Sequence, residues 1–569
     1  MHTRAQLLDR LGQRDRTDVL VIGGGINGIG VYRDLAAQGV AALLVERNDF
    51  CGGTSAASSR LAHGGLKYLE TGEFGLVRES VTERDRLLRN APHLVEPLEV
   101  WMPLASRFGG TLGALTRFLG LGSKPRRKGS VPVRIGLMLY DRFRADPPPL
   151  PGHRMLDAKR ARQAMPHLNP AIRSIAQYHD ARMTQPERIG LELIADAEAA
   201  CPDAMAIPYM ELEGVEGDCA VLRDRIAETT HRVQPRLVIN AAGPAVDRVN
   251  ARLGNPTELA GGTRGSHLVL AHPALAREIG ARMVYFETAD HRLCLVYPLG
   301  ADRLLLGTTD IPTDDPDDTH CTEAEVDYLL ATLRELLPGL SVGREHVVAR
   351  YAGVRPLPRS GAADPGAISR GHTIHTLEPD AARRFPGLVL VGGKWTTYRA
   401  CAEEITDRAL ALLGGARQSD TADLAIGGGR GWPIGADPAR ILTRQIASDH
   451  ELTNERAAVL VNRYGARAAQ AAGAERERPG VPDGVVDYSE GELDWLIREE
   501  RVTRAADLVF RRTPMALETD PGARAVSSIT DLVGDALDWP VERRALEHRL
   551  LTEALDRHRG RGHAAGHHR

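Results

Sequence analysis

A short, mostly apolar run, Asp18–Ile22, is followed by a cluster of glycines and then by apolar residues at helical spacing. A second apolar run, Ala41–Val45, ends in Glu46. A continuous apolar run of this length predicts a buried strand, and apolar residues recurring every three or four positions predict an amphipathic helix. The stretch therefore predicts a strand–helix–strand unit near the start of the fold.

Similar patterns recur up to about residue 413. They predict helices at 1–16, 75–90, Arg134–Phe143, 184–200 and from about Thr396 to Leu413, and strands at 205–225, Arg236–Asn240, Gly265–Ala271, Leu293–Pro298, Arg303–Gly307 and Leu388–Val391. A strand–helix–strand unit begins this region and a strand, glycine turn and helix end it. We therefore expect one discontinuous dinucleotide domain, mainly 15–75, 178–250 and 345–413, interleaved with a substrate domain, mainly 76–177 and 251–344.

The pattern changes after about Gly414. Gly427–Gly431 and Pro433 are typical of a linker. Residues 432–556 carry Ala, Arg, Glu and Leu at helical spacing, which predicts a separate all-α domain. The basic tail, 557–569, is expected to be disordered. Its histidines leave metal binding as the alternative; they are His558, His563, His567 and His568.

Composition narrows the class of protein. The chain of 569 residues is too long for one hydrophobic core, so two or three domains are expected. A net charge of −3 gives no reason to expect a nucleic-acid partner. The cysteines are scattered without a CxxC pair, which fits a reducing compartment. No signal segment begins the chain, and no apolar run approaches the roughly 20 residues that cross a bilayer. We expect a cytoplasmic protein, or one lying on a membrane surface.

The glycine cluster has the spacing of a dinucleotide fingerprint. Gly23 permits the tight turn, Gly25 lets the backbone approach a pyrophosphate, and Gly28 lets the helix pack on the strand. The pyrophosphate is expected at the helix N-terminus, where backbone N–H groups are unpaired. Glu46 follows at the distance where an acid accepts hydrogen bonds from a ribose. The motif alone leaves NAD and FAD as equal possibilities.

Two later segments offer further cofactor contacts. Thr54-Ser55-Ala-Ala-Ser-Ser59 and His63-Gly64-Gly65 place hydroxyls and backbone amides soon after the ribose-binding acid, where they can line a diphosphate and an isoalloxazine ring. The alternative is a flexible Ser/Gly loop. Gly243, in the turn Asn240–Pro244 that follows a buried strand, is a second place where backbone can approach the dinucleotide. There, an ordinary strand-to-turn junction is the alternative.

Several motifs together resemble the flavin-dependent aerobic glycerol-3-phosphate dehydrogenases. They are GGGINGIG, TSAASSR, HGGLKYLE, Asn240–Pro244, Gly265-Ser-His267, Gly307–Asp310, Tyr351–Leu357 and Gly392–Arg399, spread colinearly over about residues 15–410. The helical C-terminal part resembles the cap domain of that family. The resemblance implies FAD rather than NAD. It also implies an α/β fold with a Rossmann-type FAD-binding domain, an interleaved antiparallel-sheet substrate domain and a C-terminal all-α domain.

The resemblance implies sn-glycerol 3-phosphate as substrate, contacted by Lys67, Tyr68, Arg355 and Lys394. A phosphate needs cationic partners, and Arg355 lies among apolar neighbours, where a charge requires a partner. The family usually has arginine where this chain has Lys67. Lysine keeps the charge but loses the planar bidentate fork.

Oxidation of a secondary alcohol requires a hydride acceptor and a base for the hydroxyl proton. His267 is the first candidate for the base or for a substrate contact, and His63 is the second, with flavin binding as its alternative role. Arg355 can stabilise the developing alkoxide. Gly393, Lys394, Thr396 and Thr397 begin a predicted helix whose N–H groups and hydroxyl caps can stabilise negative charge on a reduced flavin. No histidine or cysteine spacing predicts a metal site.

The family passes its electrons to membrane quinone on the inner face of the cell membrane. One feature supports a peripheral position, an apolar and basic cluster that suits an anionic lipid surface. The cluster consists of Leu112, Leu115, Phe118, Leu119 and Leu121 with Arg117, Lys124, Arg126, Arg127 and Lys128. The alternative is a surface loop whose leucines pack on the protein itself.

Other functions remain open at this point. A glycerol-3-phosphate oxidase would use O2 instead of quinone, although the extra insertion of those relatives is missing. Another polyol phosphate, such as erythritol phosphate, would give similar motifs. A non-catalytic flavoprotein or scaffold has no need of a cationic pocket beside a flavin. A homodimer is possible, and the sequence does not decide the oligomeric state.

Overall fold

The structure, a computed structural model, describes residues 2–69, 72–106, 130–145, 147–300, 302–359, 371–435 and 437–561. The side chain of Lys67 lies outside the described part, as does the apolar and basic cluster at 112–128. Within the described residues, the chain forms two large sheets with helices packed around them, followed by a helical domain.

The strands follow the expected order and include several that the sequence pattern missed. They are β1 (Arg16–Ile22), β2 (Ala42–Glu46), β3 (Leu61–Ala62), β4 (Val95–Leu104), β5 (Arg154–Asp157), β6 (Ser174–Met183), β7 (Met205–Pro208), β8 (Met210–Glu216), β9 (Cys219–Asp224), β10 (Thr230–Asn240), β11 (Ala260–Ala271), β12 (Met283–Glu287), β13 (Leu293–Pro298), β14 (Arg303–Gly307), β15 (Ile311–Pro312), β16 (Val347–Pro358), β17 (His372–Leu377) and β18 (Gly387–Gly392). The bounds predicted for β13 and β14 are confirmed, and the two strands pair antiparallel.

The helices are α1 (Arg4–Gly12), α2 (Ile26–Ala37), α3 (Phe74–Asn90), α4 (Ser130–Arg142), α5 (Ala158–Ala164), α6 (Pro186–Ala200), α7 (Val246–Arg252), α8 (Pro273–Ile279), α9 (Glu323–Leu336), α10 (Tyr398–Leu413), α11 (Pro438–His450), α12 (Asn454–Tyr464), α13 (Ala468–Glu477), α14 (Glu490–Glu499), α15 (Ala505–Asp507), α16 (Met515–Glu518), α17 (Ala523–Ala536) and α18 (Val541–His558). The predicted helices near 75–90, 134–143, 184–200 and 396–413 correspond to α3, α4, α6 and α10. None of the described helices is long and apolar enough to cross a membrane.

The first sheet has the order β17-β18-β10-β1-β2-β7. Strand β1 pairs in parallel with β2 and β10, and β10 pairs in parallel with β18. Helix α2 connects β1 to β2, which confirms the strand–helix–strand unit. Because parallel strands end at the same edge of a sheet, the turns after Ile22, Glu46, Asn240 and Gly392 meet there, and this edge is where ligands bind in such folds.

The second sheet has the order β15-β11-β14-β13-β12-β4-β6-β3, and β16 pairs with β11. It is mostly antiparallel, with one parallel pair between β12 and β4. The sequence-based domain boundaries assigned 345–413 to the cofactor domain, and for β16 this is wrong because β16 belongs to the second sheet. The sequence pattern did not show this pairing, because the partner strand, β11, lies about ninety residues away in sequence.

Helices α11 to α18 form the C-terminal domain around a core of their own, which includes Leu460, Trp495, Leu508 and Ile529. The prediction of a disordered tail from residue 557 is wrong for residues 557–561. Helix α18 continues to His558, and Arg559 forms an ion pair with Asp520 at 2.6 Å. Residues 562–569 lie outside the described part of the chain.

Candidate functional site

The turn after β1 requires glycine for two reasons. Gly23 has φ 109°, and a Cβ there would lie 2.6 Å from the carbonyl oxygen of Ala241. A Cβ on Gly28 would lie 1.9 Å from the carbonyl oxygen of Gly23. Both distances are impossible for real atoms, so any side chain would push α2 and β10 away from the turn. The turning and packing roles expected of these two glycines agree with this geometry.

Helix α2 begins at Ile26, directly after the fingerprint glycines. The Ile26 N–H donates to Ser55 Oγ at 3.0 Å, which places the loop after Glu46 over the start of the helix. A Cβ on Gly25 would lie 3.2 Å from the same oxygen. Asn27 Oδ1 is buried and has no hydrogen-bond partner among the described residues. The start of the helix therefore allows a ligand to approach the backbone closely and offers it an unused hydrogen-bond acceptor.

Glu46 turns its carboxylate toward the fingerprint. It accepts hydrogen bonds from the Gly24 N–H at 2.7 Å and from the Asn48 N–H at 2.9 Å. Burial raises the pKa of this carboxyl, and the two N–H donors act against that shift. The carboxylate lies at the carboxyl end of β2, where the sequence placed a ribose contact.

The loop at 51–65 lies between the two sheets and is fixed from both sides. The Thr54 hydroxyl donates to the carbonyl oxygen of Val354 on β16 at 2.6 Å. The Trp395 indole N–H donates to the carbonyl oxygen of Ser55 at 2.9 Å. A Cβ on Gly353 would lie 2.6 Å from Ala57 Cβ, so the strand presses closely on the loop. These contacts contradict the alternative of an unattached, flexible Ser/Gly loop.

The end of the same loop meets the turn after β18. The His63 N–H donates to Thr396 Oγ1 at 3.2 Å. The Gly64 N–H donates to Tyr140 Oη at 2.9 Å and to Asp180 Oδ1 at 3.1 Å. Burial lowers the pKa of His63, and the cations Lys394 and Arg84 lower it further. His63 is therefore a neutral side chain near neutral pH.

Gly65 has φ 72°, and a Cβ there would lie 2.3 Å from Cδ2 of the Tyr68 ring. The Lys394 ammonium lies 4.7 Å from the centre of this ring and donates to Ser80 Oγ at 2.7 Å. The sequence-predicted residues Tyr68 and Lys394 thus come together, with Ser80 of α3 as an additional partner.

His267 lies on β11, and only 2% of its surface is exposed. Its Nε2 forms a hydrogen bond with Ser59 Oγ at 2.8 Å, and its ring stacks on Tyr351 with centroids 5.0 Å apart. Its Nδ1 is buried without a hydrogen-bond partner among the described residues. Burial and the charge of Arg355 lower the pKa of His267 to about 3. The imidazole is therefore neutral and has one unused nitrogen.

Arg355 lies on the neighbouring strand, β16. Its guanidinium donates to Asp310 Oδ1 at 2.9 Å, to Thr308 Oγ1 at 3.0 Å and to the carbonyl oxygen of Thr309 at 3.2 Å. About a quarter of its side chain remains exposed. The guanidinium occupies the space over Gly265, where a Cβ would lie 2.2 Å from Nη2. A fixed cation thus lies next to the neutral His267.

The predicted hydroxyl cap of α10 is wrong in one respect. The helix begins at Tyr398, and the N-cap residue, Thr397, forms no side-chain hydrogen bond with the helix. Thr396 uses its hydroxyl to accept the His63 N–H. Both threonines are 2% exposed, and the hydrogen bond from His63 joins Thr396 to the loop at 51–65. Gly393, with φ 92°, brings this turn against Asn27 of α2.

The described residues fit an ADP group with a flavin. Gly23, Glu46, Gly243 and Gly393 lie at or just beyond the carboxyl ends of four parallel strands, with the start of α2 among them. Gly243 has φ 59° and open space where a Cβ would point. Asn27 Oδ1 at the helix start and His267 Nδ1 beyond the loop are two buried polar atoms that have no hydrogen-bond partner among the described residues.

Comparisons with known proteins agree with this geometry. A family model described as FAD dependent oxidoreductase matches residues 18–410, and one described as the C-terminal domain of alpha-glycerophosphate oxidase matches residues 419–544. A glycerol-3-phosphate dehydrogenase of Synechocystis is 32% identical over 564 residues, which cover 93% of this chain and 94% of that protein. The chain belongs to the FAD-dependent glycerol-3-phosphate dehydrogenase family. FAD is its cofactor.

A further relative and a solved structure are also similar to this chain. A D-erythritol 1-phosphate dehydrogenase of Brucella abortus is 29% identical over 521 residues, 90% of this chain and 97% of that protein. The solved structure of a glycerol-3-phosphate dehydrogenase from Bacillus halodurans, complexed with FAD, superposes with a TM-score of 0.76 at 22% identity and covers all of both chains. This likeness confirms the predicted fold class, including the C-terminal helical domain.

The sequence pattern assigned no role to several residues of this chain that the structure places in the site. They are Asn27, Ser80, Tyr140, Asp180, Thr308, Asp310 and Trp395. Thr308, Asp310 and Trp395 stand inside motifs that the resemblance used, so their position could have suggested a role. Ser80, Tyr140 and Asp180 stand in ordinary helix and strand patterns without such a signal.

Proposed function

We propose that this protein oxidises sn-glycerol 3-phosphate to dihydroxyacetone phosphate and passes the electrons to a membrane quinone. The observation that carries the proposal is the pair on β11 and β16, a buried neutral His267 beside a fixed Arg355, next to the loop at 51–65. Membership of the glycerol-3-phosphate dehydrogenase family supports the substrate. A base and a cation side by side suit the removal of a proton from an alcohol that carries a phosphate.

Arg355, Lys394, Lys67 and Tyr68 are the proposed substrate contacts. Hydrogen bonds to Asp310 and Thr308 fix the guanidinium of Arg355 before substrate binds. The side chain therefore loses little conformational entropy when the substrate arrives. Lys394 adds a second positive charge beside the Tyr68 ring.

His267 is the proposed base, and it takes the hydroxyl proton at Nδ1, because Nε2 is engaged with Ser59. Arg355 stabilises the negative charge that develops on the oxygen. The bound flavin supplies the acceptor for the hydride from C2. Substrate phosphate offsets the charge of Arg355, and this raises the pKa of His267 while the proton moves. His63 is the second candidate base, with flavin binding as its other role.

The remaining cofactor contacts follow the geometry. Gly23, Gly25, Gly28, Glu46 and Gly243 are proposed to hold the ADP half of FAD. The flavin half is proposed to be held by Thr54, Ser55, Ser59, His63, Gly64, Gly65, Gly393, Lys394, Thr396 and Thr397.

A peripheral position on the inner face of the cell membrane completes the proposal. Helix α4 exposes an apolar stripe formed by Val131, Ile135, Met138 and Leu139, each at least 36% exposed. Arg134 and Arg142 flank the stripe. Apolar residues between basic ones suit an anionic bilayer surface, and quinone is reached there.

Two alternatives each rest on one finding. The relative from Brucella abortus makes erythritol phosphate a second candidate substrate. The description of the C-terminal family model makes O2 a second candidate acceptor.

One anaerobic experiment separates these possibilities. The purified holoenzyme is mixed with glycerol 3-phosphate and the flavin absorbance is followed. Rapid bleaching that a quinone analogue reverses, and air barely reverses, is the expected result. Fast reversal by air with peroxide release would establish the oxidase instead. Bleaching with erythritol phosphate but not with glycerol 3-phosphate would replace the substrate.

A further inference from the structure

Helix α3 has functional contacts on one side and a cavity on the other. Ser80 bonds Lys394, and Arg84 bonds Tyr140 and Asp180, whose side chains bind the Gly64 N–H. The cavity, of about 430 Å³, is lined by Arg78, Thr82, Asp85 and Arg89 of α3 and by Arg142 and Arg144 at the end of α4. The cavity therefore lies across α3 from the proposed substrate contacts.

The charges around this cavity are strongly unbalanced. Among the described residues that line it, Asp85 is the one acid, and its carboxylate is committed to Arg84 at 2.7 Å and to the Ala145 N–H at 3.1 Å. Arg78 and Arg142 form no ion pair with any described carboxylate. Within the described chain, the cavity thus has two guanidinium groups without a direct acidic partner.

The other two arginines are only partly compensated. Arg89 pairs with Asp423 at 3.2 Å, where both side chains are more than half exposed, and such a pair is weak. Arg144 reaches Asp141 at 3.4 Å, and its Nε is buried without a hydrogen-bond partner among the described residues. A buried N–H that bonds nothing costs free energy unless a ligand accepts it.

We propose that this cavity is a second anion site, which binds a phosphate ester. Guanidinium forks match phosphate oxygens bidentately, and several of them around one space favour a phosphate over a single carboxylate. The volume exceeds that of a phosphate alone, and the ring of Phe143 and the hydroxyl of Thr82 also line it. The ligand is therefore a phosphate joined to an organic group.

Two kinds of ligand contain a phosphate joined to an organic group: a soluble phosphate ester and a phospholipid headgroup. Arg142 ends α4, the helix that exposes the apolar stripe Val131, Ile135, Met138 and Leu139. A headgroup in the cavity would leave its acyl chains near that stripe. The proposal goes beyond the oxidation of glycerol 3-phosphate, because none of the lining residues is among the proposed substrate contacts.

The test compares Arg142→Gln and Arg78→Gln with Arg160→Gln in the holoenzyme. Arg160 is an exposed arginine of α5 that lies neither in the cavity lining nor on the apolar stripe of α4, so it controls for loss of one charge. Titration calorimetry with inorganic phosphate tests the soluble source. Cosedimentation with vesicles of phosphatidylcholine and phosphatidylglycerol tests the headgroup. Flavin content and circular dichroism confirm that each variant is folded.

We expect the two cavity variants to bind at least one probe about tenfold more weakly than Arg160→Gln, the effect of losing one charge-assisted hydrogen bond. A loss for phosphate supports a soluble ester, and a loss for vesicles supports a headgroup. Equal binding of both probes by all three variants would overturn the proposal, and so would an equal loss of vesicle binding in all three without any difference for phosphate.

Discussion

Arg355 keeps its position because Gly265, on the adjacent strand, has no side chain. The guanidinium lies where a Cβ of Gly265 would be, with Nη2 at 2.2 Å. His267 has the same relation to Gly307, whose Cβ would lie 2.3 Å from the imidazole Cδ2. In both cases the strand partner of a functional side chain is small because that side chain folds across it.

Gly265→Ala should displace the guanidinium of Arg355 without removing it. We expect the KM for glycerol 3-phosphate to rise about tenfold or more, because one misplaced charge-assisted contact costs roughly 1.5–3 kcal/mol. Steady-state kinetics with a dye acceptor measure the change. Gly261→Ala is the matched control on the same strand, since its Cβ would lie an ordinary 3.6 Å from Arg359 Cα. Equal KM values for the two variants would exclude this role of Gly265.

His267→Gln tests the base. Loss of general base catalysis typically costs 10²–10⁴-fold, so the limiting rate of flavin reduction at saturating substrate should fall by about that factor. Stopped-flow absorbance measures this rate. Ser59→Ala removes only the partner of Nε2 and should have a smaller effect. A limiting rate that is unchanged in His267→Gln would eliminate His267 as the base and leave His63 to be tested in the same way.

At the scale of elements, the last helix of the C-terminal domain reaches the candidate site. His558 of α18 lies parallel to the Tyr351 ring with centroids 6.4 Å apart, and Tyr351 stacks on His267. Phe510 packs edge-on against His558 at 5.5 Å, and the His558 Nε2 bonds the carbonyl oxygen of Ala516 at 3.1 Å. The helical domain therefore supports the side of the site that carries the candidate base.

His558→Ala should slow flavin reduction roughly three- to tenfold, the value of one aromatic contact that positions Tyr351 and His267. His558→Phe keeps a ring and should restore most of the rate, which a purely electrostatic role would not allow. His548→Ala, an exposed position on the same helix, is the control. Stopped-flow reduction measures all three variants. Identical rates in His558→Ala and His548→Ala would contradict the positioning role.

At the scale of the whole molecule, buried ion pairs join the helical domain to the cofactor domain. Asp49, after β2, bonds Arg512 at 2.9 Å and also Arg511. Burial raises the pKa of Asp49, but the attraction of Arg512 and Arg511 outweighs it, so the pKa of this carboxyl lies below its ordinary value. Arg188 and Glu500 form a second fully buried pair at 2.6 Å. Both pairs are specific to one orientation of the two domains.

Asp49→Ala leaves the buried Arg512 without a carboxylate partner, a change that typically costs about 3–5 kcal/mol, while Arg511 keeps its ion pair with Asp507. We expect a clear fall in the melting temperature of the holoenzyme and faster proteolysis between the two domains. Asp203→Ala is the control, because its pair with Arg14 is exposed and is worth at most about 1 kcal/mol. Differential scanning calorimetry compares the two. Equal melting temperatures would show that the ion pairs between the two domains contribute little to the stability of the holoenzyme.

Buried neutral histidines make the stability depend on pH. Burial lowers the pKa of His558 to about 4 and, with Arg355, that of His267 to about 3. The unfolded histidines have a pKa of about 6.5 and bind more protons below it, so stability is full above pH 6.5 and falls as the pH drops toward 4. His558→Phe should show a smaller fall in melting temperature between pH 7 and pH 4.5 than the natural protein. An equal or larger fall would contradict the assignment.

Local sequence determined much of the first sheet. The positive φ of Gly23 and the close contact of Gly28 with the Gly23 carbonyl are local to the turn and the helix that follows it, so the spacing of the glycines at 23, 25 and 28 predicts a dinucleotide fold. The position of Glu46 was also predictable from a local pattern, because it follows the apolar run that forms β2. The strands at 293–298 and 303–307 were also predictable, because a continuous apolar run and a short connection specify a hairpin without distant partners.

Tertiary structure decided the partners of the candidate site. His267, Arg355 and Lys394 were found as residue types within motifs, but Ser59, Asp310 and Ser80 became their partners only when strands and helices far apart in sequence paired. The hydroxyls of Thr396 and Thr397 were expected to cap a helix, a local interaction, but Thr397 makes no such bond and Thr396 bonds the loop at 51–65 instead.

The sequence by itself determined the dinucleotide fold, because this depends on backbone conformation and residue spacing along one short stretch. It also determined the family and FAD, through motifs spread colinearly over about residues 15–410. Only the tertiary structure decided which charges stand beside His267, how the last helix supports it, and where a cavity lined by four arginines forms across α3. These depend on burial and on contacts between distant segments, which no local pattern records.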